Sequence, residues 1–301
     1  LRKWMDIRQG GKNNDLSQIS TIKDADDKSQ IHVLVCAGAG CVASGSLEVA
    51  AALRKCVEAK GVDKQISIVE TGCLGPCAIG PVVVIYPDGI FYEHVTPADT
   101  EDIVQEHLLA GHIVERLAHK QAPTEKIVAH LNKIDFFSGQ QRVVLRNCGL
   151  IDPSKIEEYI ARDGYEALSK VLTSMTPEAV VEIVKRSGLR GRGGGGFPTG
   201  RKWELARLQP DETKFVICNG DEGDPGAFMD RSVMEGDPHS LIEAMTIAAY
   251  AIGSSQGYIY VRAEYPLAIQ RLTMAIDQAK SYGLLGDNIL GTDMSFNLEL
   301  R

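Results

Sequence analysis

The spacing of hydrophobic residues varies along the chain. From residue 31 onward it is alternately typical of strands and of helices. The apolar run "IHVLVC" at 31–36 predicts a buried strand, and the helical spacing of apolar residues after Ser46 predicts a helix that ends at Gly61. A second strand "QISIVET", a hairpin turned at Pro87-Asp88-Gly89 and a helix that begins at Thr96-Pro97 follow. This order of elements predicts an α/β domain.

The second half of the chain begins with a connector and then returns to strand and helix patterns. The segment "QQRVVLRNCG" at 140–149 predicts a strand, and a helix capped by Thr176, with Pro177 in its first turn, is predicted to end at Gly188. A glycine-rich loop, a helix, the strand "KFVICN", an acidic loop and two strand–helix units come next. The pattern predicts a partly flexible leader at 1–29, the first α/β domain at 30–112, a connector with helices at 113–175 and a second α/β domain at 176–301.

Composition and charge narrow the class of protein. The 301 residues are 44% hydrophobic and 24% charged, which is typical of a globular protein. The formal net charge of −8 argues against a nucleic-acid-binding protein, because such proteins present a basic face. No apolar run approaches the roughly 20 residues that span a bilayer, and no signal peptide is visible. We therefore expect a cytoplasmic protein without a membrane span.

The seven cysteines carry the first chemical signal. Cys36 and Cys41 form one close pair, Cys73 and Cys77 form another, and each pair lies in a glycine-bearing loop after a predicted strand. Four thiolates complete the tetrahedra of two irons, so the pairs predict a 2Fe–2S cluster. Zinc is the main alternative, although structural zinc sites favour shorter spacings, and unconnected buried cysteines are the third interpretation. The other cysteines are expected to pack in the core: Cys56, Cys148 and Cys218.

The segment "SGLRGRGGGGFPTGRKWE" at 187–204 carries the second signal. Glycines without a Cβ let backbone N–H groups approach a ligand, and a loop of this kind before a helix presents them to a phosphate or a flavin edge. A flexible linker is the alternative, but it would have little use for Phe197, Lys202 and Trp203. The segment is not a P-loop, and the helix before it does not fit the Rossmann fingerprint, which needs a strand.

The cysteine segments carry a family resemblance. "VCAGAGCVASGS" with "TGCLGPCAIGPVVVIYPDGIFYEHVTPADTEDIVQEHL" resembles the thioredoxin-like 2Fe–2S ferredoxin domain. That domain forms the 24-kDa-type subunit of respiratory complex I and is fused to flavin subunits of soluble hydrogenases and formate dehydrogenases. The resemblance implies a thioredoxin-like fold for the first domain, and it implies that the cluster ligands are Cys36, Cys41, Cys73 and Cys77.

The glycine segment carries a second resemblance. "GLRGRGGGGFPTGRKWE", with "KFVICNGDEGDPGAFMDR" and "EGDPHSLIEAM", is similar to the 51-kDa-type FMN/NADH-binding α/β flavoprotein subunit of complex I. The fused ferredoxin domain makes residues 30–301 resemble the β subunit of soluble NAD-linked hydrogenases, including electron-bifurcating ones. The resemblance implies FMN under the glycine loop and the nicotinamide of NAD(H) stacked on the flavin. The implied cofactor-binding residues are Gly191, Arg192, Gly193, Gly194, Gly196, Phe197, Lys202, Asn219, Asp221, Glu222 and Asp224.

The resemblance implies no catalytic residue, because the cofactors themselves carry out hydride transfer. Carboxylates near a ribose favour NAD over NADP. Three positions depart from the family pattern: Leu205 stands where an aromatic residue is common, Gly195 where alanine is common, and Asp224 where glutamate is usual. The family's second glycine-rich motif and its 4Fe–4S domain do not follow, so we expect this chain to be the amino-terminal part of a longer subunit, with the 4Fe–4S cluster in the remainder.

The resemblance therefore implies an electron-transfer flavoprotein subunit of a multi-subunit, NAD-linked hydrogenase, a class that includes electron-bifurcating enzymes, or of a formate dehydrogenase. The expected partners are the catalytic subunit, a small 24-kDa-type 2Fe–2S subunit and, for bifurcation, ferredoxin. The alternative is an iron–sulfur wiring subunit with a degenerate nucleotide site that does not turn over NADH. The departures at Leu205 and Asp224 keep this alternative open.

Overall fold

The structure is a computed structural model that describes residues 31–224 and 226–301. The predicted leader at 1–29 therefore lies outside the described residues. The chain divides into two units at Arg162 and Asp163, and each unit has its own sheet. None of the helices in the described part of the chain is long and apolar enough to cross a membrane.

The first unit is built on a four-stranded sheet. Its strands are β1 (Ile31–Cys36), β2 (Ile66–Thr71), β3 (Val83–Tyr86) and β4 (Ile90–Tyr92), in the spatial order β2-β1-β3-β4. β1 and β2 run parallel, while β3 is antiparallel to both β1 and β4. The predicted strands and the hairpin between β3 and β4 are confirmed, and the mixed sheet agrees with the predicted thioredoxin-like layout.

Helices cover and connect these strands. The predicted helix after β1 spans Ser46–Ala59, and its N-cap is Gly45. The predicted start at Thr96 is confirmed, because the Thr96 backbone N–H donates to the Asp99 carboxylate at 2.7 Å in a capping box. The other elements of this unit are Ala39–Ala43, Thr100–Asp102 continued by a π-helix at Ile103–Leu109, β5 (Lys120–Gln121), β6 (Lys126–Ile127), Asp135–Ser138 and Ile156–Ala161.

The first unit buries both faces of its sheet. Because side chains alternate along a strand, Val33 and Val35 pack with the helix Ser46–Ala59, whereas Leu34 and Cys36 face the opposite way. The second face is covered by residues from the predicted connector, chiefly Leu131 and Ile134, with Val128, Phe137 and Leu150 packed against it.

The strand predicted at 140–149 is wrong. Residues 144–150 form turns, and Cys148 within them is fully buried. Gly149 has a left-handed backbone, with φ of +80°, and its N–H donates to the Thr71 side chain rather than to a neighbouring strand. The apolar residues that suggested a strand differ in burial, because Val143 and Val144 are both exposed whereas Cys148 is buried. The segment therefore has no alternating buried face.

The second unit is a three-stranded parallel sheet with helices. β7 (Phe215–Gly220), β8 (Gln256–Val261) and β9 (Asn297–Leu300) lie in this order and pair in parallel. Parallel neighbours need crossover connections, and helices supply them here. The helices of this unit span Glu166–Ser174, Pro177–Arg186, Thr199–Arg207, Met229–Gly236, Pro238–Ile252 and Pro266–Ser281.

The two helices that flank the glycine loop are packed closely. The first, Pro177–Arg186, is capped as predicted, because the Thr176 side chain accepts the Ala179 N–H at 3.3 Å. The second, Thr199–Arg207, begins directly after the loop, and Gly200 touches the first helix. A Cβ on Gly200 would lie 2.4 Å from the Lys185 backbone nitrogen, so only glycine permits this approach. The packing fixes both ends of the loop.

Candidate functional site

The four paired cysteines lie on two loops at one edge of the first sheet. Cys36 is the last residue of β1, and Cys41 lies in the one-turn helix after it. Cys73 follows the end of β2, and Cys77 begins a short 3₁₀ turn. Since β1 and β2 are parallel neighbours, their carboxyl ends lie side by side, and the two loops meet there.

The thiols of these cysteines interact with one another. Hydrogen bonds with the thiols of Cys41 and Cys73, together with burial, raise the pKa of Cys36 well above its usual value. Burial is the main cause of a raised pKa at Cys77, followed by the neighbouring Cys73 and Cys41. The structure therefore brings all four predicted ligands together. Among the described residues, no three His, Cys, Asp or Glu side chains surround a single metal-ion position.

Three glycines form the wall of this cysteine cradle. A Cβ on Gly38 would lie 2.8 Å from the Cβ and 2.9 Å from the Sγ of Cys73. A Cβ on Gly40 would lie 2.9 Å from the Cβ of Cys77, and one on Gly80 would lie 2.7 Å from the Sγ of Cys41. Side chains at these positions would displace the sulfurs. The donor set of four soft thiols and the close glycine backbone both fit an iron–sulfur cluster.

The glycine loop of the second unit is held at its base and open at its tip. Arg190 and Pro198 form a bridge, and the Gly191 N–H donates to the Phe197 carbonyl at 2.9 Å. At the tip, Gly194 has φ of +94°, a left-handed conformation that L side chains rarely adopt. A Cβ on Gly193, Gly194 or Gly195 would meet open space, so these backbones are accessible to a ligand.

A cavity of about 580 Å³ lies beside this loop. It is lined by Ser187, Gly188, Leu189, Arg190, Gly191, Arg192 and Gly196. The predicted residues Arg192, Phe197 and Lys202 are exposed, and Phe197 exposes 47% of its surface. Neither Arg192 nor Lys202 makes a side-chain hydrogen bond or ion pair with another described residue. The accessible backbone, the cavity and the uncommitted cations fit a phosphate-bearing flavin or nucleotide.

The four predicted polar residues lie at the carboxyl end of β7. The Asn219 side-chain oxygen accepts the Asp221 N–H at 3.1 Å, and the Asp221 carboxylate is 3.6 Å from the Arg262 guanidinium. Asp224 is exposed in the same loop. In the part of the chain that the structure describes, no hydrogen bond or ion pair joins the predicted polar residues to those of the glycine loop.

Glu222 has a structural partner that the sequence analysis missed. Its carboxylate accepts the backbone N–H groups of Met229, Asp230 and Arg231 at 2.8, 3.2 and 3.1 Å. These are the first N–H groups of the helix Met229–Gly236, so Glu222 caps this helix from a distance. Both of its carboxylate oxygens are engaged in this cap.

Arg262 and Tyr265 also belong to this edge and were missed. The Glu222 carbonyl accepts hydrogen bonds from the Arg262 guanidinium and the Tyr265 hydroxyl, both at 3.0 Å. The Arg231 guanidinium lies 4.8 Å from the centre of the Tyr265 ring. Both missed residues follow β8, whose carboxyl end lies beside that of β7. Ligands of parallel sheets bind at the carboxyl ends of the strands, so the strand order would have indicated Arg262 and Tyr265.

Comparison with known families matches two separate parts of the chain. Residues 22–108 match the family described as thioredoxin-like [2Fe-2S] ferredoxin. Residues 184–298 match the Nuo51 FMN-binding domain. The two matched ranges contain all of the predicted cluster and cofactor-binding residues.

Curated relatives match about half of the chain. HndC of Solidesulfovibrio fructosivorans, which belongs to an NADP-reducing hydrogenase, is 61% identical over 162 residues, which are 54% of this chain and 33% of the relative. An NADH-quinone oxidoreductase component of Rhizobium meliloti is 48% identical over 159 residues, which are 53% of this chain and 38% of the relative. The chain thus spans about a third of the length of these relatives.

Among solved structures, a thioredoxin-like [2Fe-2S] ferredoxin from Aquifex aeolicus is 38% identical to this chain. The match covers 29% of this chain and 88% of the ferredoxin, with a TM-score of 0.28.

Proposed function

We propose that this chain, which joins a thioredoxin-like [2Fe-2S] ferredoxin domain to a Nuo51-type FMN-binding domain, passes electrons between NAD(H), FMN and an iron–sulfur cluster. The observation that carries the proposal is the meeting of four cysteines from two loops inside a wall of three glycines. The same chain presents an accessible glycine backbone beside a cavity. One unit thus offers a cluster site and the other a flavin site, as an electron-transfer subunit requires.

In the first unit, Cys36, Cys41, Cys73 and Cys77 would hold the cluster through their sulfurs. Thiolate is the ligand form, so cluster binding releases the thiol protons. Hydrogen bonds among the thiols raise the pKa of Cys36 and lower that of Cys41. The glycine walls at Gly38, Gly40 and Gly80 keep the backbone close to the sulfurs, where its N–H groups tune the cluster's reduction potential.

In the second unit, the glycine loop would bind FMN and the nicotinamide dinucleotide. Bound FMN supplies the exchange between a hydride and single electrons. Arg192 and Lys202 offer cations to phosphate groups, the Gly193–Gly195 backbone offers close approach, and the exposed Phe197 ring offers a stacking surface. Asn219 and Asp221 offer polar groups to a ring edge or a ribose. The chain's own residues bind and orient, which is what hydride transfer between cofactors needs.

We propose a hydrogenase as the complex that contains this chain. The HndC relative is named as a subunit of an NADP-reducing hydrogenase, which supports a hydrogenase over a formate dehydrogenase. A catalytic hydrogenase subunit and a small 24-kDa-type 2Fe–2S subunit are the proposed partners, in the cytoplasm. Electron bifurcation to ferredoxin and a 4Fe–4S cluster in the complex extend this proposal. We also propose a preference for NAD over NADP; the Rhizobium meliloti relative is named for NADH, whereas HndC is named for NADP.

The test is reduction of the anaerobically purified complex that contains this chain. NADH should bleach the flavin absorbance at roughly 450 nm and produce the EPR signals of reduced 2Fe–2S clusters, and NADPH should do so more slowly. Because the proposed 24-kDa-type partner holds a 2Fe–2S cluster of its own, Cys73→Ala should remove one 2Fe–2S component of the EPR spectrum and leave the other, together with the flavin bleaching. The matched control, Cys56→Ala, should leave all of these unchanged, because Cys56 lies on the helix Ser46–Ala59 outside the cradle. An EPR spectrum that is the same in Cys73→Ala and in the unmutated complex would contradict the cluster proposal.

One observation favours the wiring subunit as a second candidate. The Glu222 carboxylate, implied by resemblance to contact a cofactor, is engaged with three backbone N–H groups of a helix. A wiring subunit would show the cluster signal after chemical reduction, but NADH would not bleach a flavin in the same preparation. This outcome would replace the leading proposal and leave the cluster site intact.

A further inference from the structure

Residues 131–151, here called the collar, contact the loop that carries Cys73 and Cys77. The collar lies between the two ranges that match known families, 22–108 and 184–298, so neither family assigns it a role. It was predicted as part of a connector. In the structure it packs within the first unit, and three of its contacts are with residues 71–77, here called the cluster loop.

The first contact is made by Thr71, at the start of the cluster loop. Its hydroxyl donates to the Ile151 carbonyl at 3.0 Å and accepts the Gly149 N–H at 3.0 Å. Thr71 is 1% exposed, so water does not compete for these two bonds. One buried hydroxyl therefore fastens the cluster loop to the collar two residues before Cys73.

The second contact is made by Gly149. A Cβ at this position would lie 2.2 Å from the Cδ2 of Leu74, which is buried next to Cys73. The Gly149 backbone is left-handed, with φ of +80°, and its carbonyl accepts the buried Tyr86 hydroxyl at 3.4 Å. The collar backbone thus lies directly against a side chain of the cluster loop, at a distance that a side chain on Gly149 would prevent.

The third contact is made by the other end of the collar. A Cβ on Gly75 would lie 3.2 Å from the Phe136 ring, so this ring, which is 45% exposed, lies against the cluster loop at Gly75. Leu131 and Ile134 are buried in the same apolar cluster as Cys36 and Cys41. Both cysteine pairs therefore have collar residues in their surroundings.

We propose that the collar is a structural part of the cluster site, that Thr71 is a positioning residue for the cluster loop, and that the collar lowers the cluster's reduction potential by excluding water. This inference rests on the proposed iron–sulfur function. Reduction adds one negative charge to the cluster, and nearby water stabilises that charge. A dry, apolar cover therefore favours the oxidised form, while the Thr71 bonds keep the cover in place.

The test compares variants of the complete chain in its complex, with EPR-monitored redox titration and the rate of iron loss to a chelator. Thr71→Val keeps the shape but removes the hydroxyl, and Thr71→Ser keeps the hydroxyl. Gly149→Ala places a Cβ against Leu74. The matched control is Gly111→Ala, since Gly111 has φ of +76° but nothing within 4 Å of an added Cβ.

Thr71→Val loses both hydroxyl bonds and Gly149→Ala overlaps Leu74, and we expect each to raise the midpoint potential and to speed iron loss by about tenfold, a change that converts to roughly 1.4 kcal/mol. Thr71→Ser and Gly111→Ala should match the unmutated complex. If Thr71→Val has an unchanged potential and unchanged iron loss, the inference is wrong, even where Gly149→Ala fails to fold. If no 2Fe–2S component of the EPR spectrum of the complex depends on Cys73, the proposed function itself fails.

Discussion

At the scale of single residues, the cluster site depends on three glycines that have no side chain as much as on the four sulfurs. An added Cβ would lie within 3 Å of a cysteine atom at each of three positions, Gly38, Gly40 and Gly80. The cysteines can be recognised from their spacing in the sequence. The requirement for glycine at the three positions becomes clear only when the positions of the sulfurs are known. Packed surroundings tolerate extra atoms poorly, so these positions are sensitive to small changes.

Gly38→Ala should disrupt the cradle. Its Cβ would overlap the Cβ and Sγ of Cys73, and the overlap should lower the free energy of unfolding by about 1–3 kcal/mol and reduce bound iron and sulfide. Iron and sulfide analysis of the purified protein measures the effect. Gly139→Ala is the control, since its Cβ would meet only an ordinary contact at 3.4 Å. Full cluster content in Gly38→Ala would show that the cradle is looser than described.

His107 should make the stability of the first unit depend on pH. Burial lowers its pKa below the usual 6.5, and the Tyr92 hydroxyl lies 2.8 Å from its Nδ1. The unfolded chain binds the proton more readily, so the stabilisation is complete above pH 6.5 and is lost as pH falls towards the lowered folded value. His32 has a pKa lowered in the same direction, mainly by burial.

We expect the free energy of unfolding, measured with urea, to decrease between pH 7.5 and 5.5. His107→Gln should make this decrease smaller, because it removes one buried titrating group. His112→Gln, at an exposed position, should leave the slope unchanged. A slope that is equal in all three proteins would contradict the assignment to His107.

At the scale of elements, the acidic loop after β7 has a structural role, because it caps the helix that follows it. The Glu222 carboxylate caps the helix Met229–Gly236, and its carbonyl is bonded by Arg262 and Tyr265 from the end of β8. The loop is therefore connected to two neighbouring elements. This arrangement orients Asn219 and Asp221 at the carboxyl edge of the sheet, where parallel sheets bind their ligands.

Glu222→Ala should separate capping from cofactor contact. Loss of the cap should lower the free energy of unfolding of the second unit by about 1–2 kcal/mol. Denaturant unfolding and flavin titration measure stability and flavin affinity on the same protein. Glu212→Ala, at an exposed loop position, is the matched control and should change neither. Lost flavin binding with unchanged stability would instead favour direct contact between Glu222 and the cofactor.

At the scale of the whole molecule, the chain divides at Arg162 and Asp163, whereas the sequence predicts the end of the ferredoxin domain at residue 112. The structured segment after residue 112 supplies Leu131 and Ile134 to the core of the first unit. A folding unit is defined by the apolar surface it buries, and this segment buries surface on the sheet that carries the cysteines. The predicted boundary is therefore open to a direct test.

A fragment of residues 1–162 should bind the cluster and unfold cooperatively. A fragment of residues 1–112 lacks the collar, so it should expose the apolar face that contains Leu34 and Leu74, bind a hydrophobic dye and lose iron faster. Iron content and dye fluorescence measure the difference. Equal behaviour of the two fragments would support the boundary at 112 and contradict the role of the collar.

The sequence by itself determined the elements and the chemistry that depends on spacing. Alternation and helical periodicity predicted β1 to β4, the helix capped by Thr176 and the strand β7, because each pattern is local to one element. The two candidate sites were predicted from local patterns as well. These patterns are the glycine loop and the cysteine pairs Cys36–Cys41 and Cys73–Cys77.

Only the tertiary structure decided how those segments are supported. The bonds from Thr71 to Gly149 and Ile151 join positions about 80 residues apart, and no pattern within either segment records them. The same holds for the Glu222 cap and for the glycines that face the cysteines. The segment at 140–149 has the local pattern of a strand, but it forms turns, and its Gly149 N–H bonds to Thr71 of the cluster loop instead of to a neighbouring strand.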